Sequence, residues 1–191
     1  VQARRLIPAL LVAGLVACTT TPRPRPAPPG EPLPELRLAP AALGASVSLA
    51  QQLVFAHEQD PGGPRSLEAL LEVDPAQMQL AGLAMGHRIL TLRWDGSHLD
   101  EERDPRLPAQ FNSALVLRDV QLVYWPADAV RAALPEGWTL EDGPARRTLS
   151  KNGREWVTVR YDGTPRWEGR TQLTNLSEHY QLTIDSHAAT E

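Results

Sequence analysis

The 191-residue chain carries 19 basic and 23 acidic side chains, a formal charge of −4, and no basic patch interleaved with aromatic residues. That balance argues against a nucleic-acid partner. Its one cysteine, Cys18, excludes a disulfide framework, and beyond it no apolar run approaches the roughly 20 residues of a membrane-spanning helix.

Arg4 and Arg5 precede an unbroken apolar run, Leu6 to Ala17, that ends in Leu15-Val16-Ala17-Cys18. A basic start, a short apolar core and small residues before a cut mark a secretory signal peptide, here residues 1–17. The closing LVAC resembles the bacterial lipobox. That resemblance implies a thioether-linked diacylglycerol on Cys18 and an acylated new N-terminus. One acyl chain binds a membrane only marginally, whereas two or more hold stably. A lipidated Cys18 leaves no thiol for metal binding or nucleophilic catalysis. Thr19 follows it. In the best-known lipoprotein sorting rule Asp at that place retains the protein in the inner membrane, so threonine favours the periplasmic face of the outer membrane.

Residues 18–40 read as a tether, with eight prolines between 19 and 40 and no apolar periodicity. Such a segment favours extended polyproline II, at about 3.1 Å per residue. Only its last part, around Leu36 and Leu38, has side chains suited to packing on the domain. Residues 41–191 then form a single domain, large enough to bury a core without staples.

Within it, Ser46–Ala56 places Val47, Leu49, Leu53 and Phe55 on one face at period two. DPGGPR, residues 60–65, is a loop. Strands are expected at 67–73, 77–85 and 87–94. Asp95-Gly96 then forms a hairpin turn into SHLDEER. Residues 109–125 lack Gly and Pro and read as a helix. A second helix, PADAVRAAL, starts at Pro126 and is stopped by Pro135 and Gly137. Strands resume with ARRTLSK and REWVTVRY around the Asn152-Gly153 turn. They continue with PRWEGRTQL and SEHYQLTIDS. No period of 20–50 residues repeats.

Catalytic signatures are lacking in the sequence. The five histidines lie far apart without metal-ligand spacing, so no metal and no cofactor is expected. No strand-turn-helix serine motif and no Gly-rich phosphate loop occurs. DEERD, residues 100–104, lacks the calcium-loop pattern and reads as a charged edge that resists aggregation. No catalytic residue is assigned.

LGASVSLAQQLVF, LEVDPAQMQLAGLAMGHRILTLRWDG and LRDVQLVYWP resemble the domain-of-unknown-function family 3261 of bacterial lipoproteins, which is similar in layout to the LolA and LolB lipoprotein carriers. The resemblance implies a mainly β, α+β domain. Its core would be an unclosed antiparallel half-barrel, with two helices inserted between strand groups as a lid. It also implies a lipid or acylated ligand in an apolar cavity, and transport to the outer membrane of an aryl-polyene-type lipid. A LolA-like periplasmic carrier or an exporter would be the protein partner. From the sheet, that layout nominates Leu53, Phe55, Met78, Leu80, Leu92 and Trp94 as cavity liners. Leu182 and Ile184 join them from the last strand, and Leu122 and Trp125 from the helix. A scaffold for an envelope export complex, binding no lipid, is the competing reading. Asp119 falls within the helix's apolar arc, among Leu115, Val116, Leu122 and Val123. A carboxylate there needs partners, and the expected role is structural, fixing the helix to the sheet.

Overall fold

A computed structural model of the chain describes residues 30–105, 107 and 112–189. The signal segment, Cys18 and residues 109–111 of the expected first helix lie outside the described residues. Among the described residues, ten strands and two helices follow a short 3₁₀ turn at Pro40–Leu43. The first group of strands is β1 (Val47–His57), β2 (Arg65–Val73), β3 (Met78–Ala84), β4 (His87–Trp94) and β5 (Leu99–Arg103). Then come α1 (Ser113–Tyr124) and α2 (Ala127–Ala133). The second group is β6 (Trp138–Asp142), β7 (Arg146–Lys151), β8 (Arg154–Tyr161), β9 (Gly169–Asn175) and β10 (Tyr180–Ala188).

All ten strands join one sheet in the order β5-β4-β3-β2-β1-β10-β9-β8-β7-β6. Every pairing is antiparallel. It is an unclosed sheet of two meanders, stitched at its centre where the first strand pairs with the last. β5 and β6 are its two edges, and the chain passes from one to the other through α1 and α2. The helices therefore sit where the half-barrel expected from the sequence needs its lid.

Local chemistry explains the turns. Met85-Gly86 (φ 50° and 75°) and Asn152-Gly153 (φ 51° and 79°) both have two positive φ angles. That is the type I′ geometry whose twist suits two-residue hairpins. Asp95 closes the β4–β5 turn by accepting from the backbone N–H of Ser97 and His98, both at 2.7 Å. Those bonds lower its pKa to about 2. Asn112 caps α1, its Oδ1 accepting from Ala114 N–H at 2.9 Å, so the helix begins there rather than at 109. Two further boundaries differ from expectation. β6 follows Gly137 in a segment for which the sequence reading gives no strand, and β9 starts at Gly169 because residues 162–168 form turns.

Pairing puts Leu49, Gln51, Leu53 and Phe55 of β1 on the same face as Ser186, Ile184 and Leu182 of β10 and as Leu71, Ala69 and Leu67 of β2. This face also carries Met78 and Leu80 of β3, Leu92 and Trp94 of β4, and Val157, Val159 and Tyr161 of β8. It is the concave side and holds the core. α1 lies on it and buries Leu117, Leu122, Val123 and Tyr124, with Trp125 at its end.

The proline-rich segment also reaches the core. From Glu31 onward it runs along the domain as a strap and buries Pro34, Leu36 and Leu38. Leu38 exchanges hydrogen bonds with Gln121, its N–H donating to Oε1 and its carbonyl accepting from Nε2, both at 3.0 Å. The indoles of Trp94 and Trp125 donate to the carbonyls of Leu38 (2.8 Å) and Ala39 (3.0 Å).

Candidate functional site

Along the strands, the concave face divides in two. Take the end with the β2–β3 and β4–β5 turns as distal, and the end with the β1–β2, β3–β4, β7–β8 and β9–β10 turns as proximal. The distal half is closed. Leu49, Leu71, Val73, Met78, Leu80, Leu92 and Trp94 are each 4% exposed or less there. Toward the proximal end, Leu53, Phe55, Leu67 and Leu182 are only half-buried. Leu53 pairs with Ile184 on one side and Leu67 on the other, and Phe55 pairs with Leu182. The result is a continuous apolar trough over β2, β1 and β10. Gly82 borders it on the β3 side, where a Cβ would stand in ordinary contact, 3.8 Å from Leu67 Cδ1 and 3.5 Å from Leu90 Cβ.

Two polar groupings hold α1 over this face. At its C-terminal end Arg147, 1% exposed, donates from Nη1 to the carbonyls of Leu122 (2.6 Å) and Trp125 (2.8 Å) and from Nε to Asp142 (3.0 Å). It thereby satisfies helix-end acceptors that lack intrahelical donors. The Tyr161 hydroxyl donates to Val123 O at 2.8 Å, and Gln51 Nε2 donates to the Tyr124 hydroxyl at 2.8 Å. Burial pushes Tyr124 up to about 12, so it stays a neutral phenol.

The second grouping borders the trough. Arg118 donates to Asp119 Oδ1 (Nε at 3.0 Å, Nη2 at 2.9 Å). It also grips both oxygens of Glu178, in the β9–β10 turn, at 2.7 and 2.8 Å. The Tyr180 hydroxyl donates to Asp119 Oδ2, and its ring stacks 5.1 Å from Phe55. Burial alone would discourage the Arg118 charge, but its bonds to Glu178 and the field of Asp119 outweigh that and keep it protonated. Burial likewise raises Asp119, against the pull of Arg118 and the Tyr180 hydroxyl.

The ten residues nominated from the sequence therefore fall in two places. Leu53, Phe55, Leu182 and Ile184 meet in the trough. Met78, Leu80, Leu92 and Trp94 lie in the closed half, packed in the core with Leu122 and Trp125 of the helical segment. Sequence reasoning missed Leu67, Arg118 and Glu178. Leu67 could have been found from its own alternating strand, whereas the Arg118–Glu178 pair spans 60 residues and leaves no local signal. Two surface depressions, of about 260 and 380 Å³, include none of the ten. The first lies around Ala50, Leu70 and Leu83, the second around Arg160, Gln172 and Thr174, on the convex side. No helix among the described residues is long and apolar enough to cross a membrane.

The family model described as "Protein of unknown function (DUF3261)" matches residues 48–188, and the chain belongs to that family. No curated protein matches the sequence. A solved LolA superfamily protein from Nitrosomonas europaea is similar at 10% identity, covering 76% of this chain and 86% of that one with a TM-score of 0.35. The half-barrel assignment rests on the strand order and register themselves.

Proposed function

We propose that the chain is a lipoprotein, anchored through Cys18 on the periplasmic face of the outer membrane. Its domain binds the acyl part of a lipid or acylated amphiphile and assists its movement to that membrane. The trough carries this reading: Leu53, Phe55, Leu67 and Leu182 remain half-buried beside Ile184 on adjacent strands, in a sheet whose other half is closed. An apolar surface left partly uncovered next to a helix held by discrete polar contacts suits a chain that enters and leaves. Binding is non-covalent, and Arg118, Asp119, Glu178 and Tyr180 hold the helix rather than perform chemistry. A LolA-like carrier or an exporter would supply the cargo, of which an aryl-polyene-type lipid is one kind.

The test is titration of the mature protein with a fluorescent fatty acid. Saturable binding is expected in the wild type and should be lost in Leu53→Asp, with the melting transition retained. Absence of binding, or binding indifferent to Leu53→Asp, overturns the trough as the site. Mass spectrometry of the mature N-terminus should show an acylated Cys18, and an unmodified terminus overturns the anchor.

A further inference from the structure

At the proximal end of the trough Arg118 is shared by two carboxylates that hold it differently. Asp119, from the same helix, takes Nε and Nη2 on a single oxygen, at 3.0 and 2.9 Å. Glu178, from the turn between β9 and β10, lies fork to fork on Nη1 and Nη2, at 2.7 and 2.8 Å. Paired N–H bonds from one guanidinium to both oxygens are the geometry in which arginine recognises a carboxylate. A third donor meets the same group, since Asn175 Nδ2 stands 3.0 Å from Glu178 Oε2.

The donors are built into the fold, whereas their acceptor is delivered from its surface. Arg118 and Asn175 are 3% and 1% exposed. Arg118 Nη2 also donates to the Tyr180 hydroxyl (3.2 Å), which in turn donates to Asp119, so the guanidinium keeps its place without Glu178. Asn175 is fixed on β9, opposite Val157 on one side and Tyr180 on the other. The Glu178 side chain is 28% exposed, and only residues 176–179 join β9 to β10. Turned outward, Glu178 regains its hydration and Arg118 still has Asp119. The three N–H groups it leaves are already aimed at another carboxylate. They adjoin the apolar surface, because the Tyr180 ring lies 5.1 Å from that of Phe55, which pairs with Leu182 in the trough. An acyl chain lying along Leu53 and Phe55 toward the proximal end brings its terminus to Tyr180 and Arg118.

We infer that Arg118 and Asn175 form a carboxylate subsite at the proximal end of the trough, that Glu178 is its resident occupant, and that the acyl ligand ends in a free carboxylate which takes its place. This rests on the trough reading above and names the polar end of the ligand. Exchange of one carboxylate for another conserves the charge around the buried guanidinium, so the ligand's entry leaves no unpaired charge behind. A neutral terminus, an alcohol or an ester, cannot make that exchange and leaves Glu178 where it is.

The test titrates the mature protein calorimetrically with decanoate, decanol and decyl phosphate, each below its micelle concentration and with decanoate ionised. Wild type should bind decanoate more tightly than decanol. Glu178→Gln, which weakens the resident occupant, should raise the decanoate-to-decanol affinity ratio about tenfold. A Glu178 that merely holds the helix would not move that ratio upward. Arg118→Gln should abolish the preference, and if that variant does not fold, Glu178→Gln decides alone. Equal binding of decanoate and decanol by the wild type, or a ratio that Glu178→Gln leaves unchanged or lowers, overturns the subsite, while saturable decanol binding keeps the trough. Decyl phosphate bound as tightly as decanoate overturns the carboxylate as the ligand's class. No binding of any of the three removes the trough, and the subsite with it.

Discussion

The two halves of the concave face are built from the same strands and similar side chains, yet they are finished differently. Distally, Met78, Leu92 and Trp94 are sealed by α1, by the strap at Leu36 and Leu38, and by Arg147, which ties the last carbonyls of the helix to β7. Proximally, Leu53 and Leu67 meet no comparable cover, and α1 is held by charged contacts to a turn rather than by apolar interlock. Packing fixes one half, and a small electrostatic clasp borders the other.

The largest break in this contrast should come from Arg147→Ala. It strands the carbonyls of Leu122 and Trp125 in the closed half, and removal of one member of a buried pair costs about 3–5 kcal/mol. Chemical denaturation should register that loss. Matched truncations sharpen the comparison. Leu92→Ala should cost about 2–5 kcal/mol, whereas Leu53→Ala, from the open half, should cost only about 1 kcal/mol. Equal losses would show that the trough is core like the rest.

The clasp should respond less. Asp119→Ala leaves Tyr180 and part of Arg118 without an acceptor and should cost about 1–3 kcal/mol, with Asp119→Asn milder because it keeps an acceptor oxygen. If Asp119→Ala melts like wild type yet loses fatty-acid binding, the carboxylate serves the ligand and not the lid.

The smallest effect is the pH dependence, and the two regions should differ in its sign. Asp119 is raised by burial, so the folded protein holds its proton more tightly than the unfolded chain. Its contribution is present below the ordinary carboxylate pKa and is lost as pH rises through the folded value. Burial would also raise Asp142, but hydrogen bonds from Arg147 and Arg166 outweigh it and hold the group below 3.8. Its contribution is present above that value and is lost as pH falls through the folded pKa. Melting temperatures across the acid range should therefore lose their upper slope in Asp119→Asn and their lower slope in Asp142→Asn.

Much of the fold could be read from alternation and turn residues. β1, β4 and β8 lie within a residue of expectation because Gly-containing turns bound them and their apolar positions recur at period two. β6 escaped notice because five residues that include Glu141 and Asp142 resemble the loop beside them, although Trp138 and Leu140 alternate correctly. The start of α1 was legible in Asn112, a capping residue that the uninterrupted run from 109 concealed. Period two also identified the face that holds Leu53, Phe55, Leu182 and Ile184. It could not say which part of that face the helix would cover, because coverage depends on Arg147, Gln121 and Glu178, whose partners lie 22 to 83 residues away.

The central pairing of β1 with β10 bears on how the chain reaches this state. Each meander can form from hairpins closed over a few residues, whereas Leu53 must find Ile184 across most of the domain. Loop-closure entropy grows only slowly with length, but it must be met before the contact repays it, so such a seam forms late. In synthesis from the N-terminus β1 emerges first and keeps one open edge until the last strand has been made. A chain truncated before Tyr180 would thus expose two unpaired strands, β1 and β9, at the middle of its sheet, a ready template for self-association.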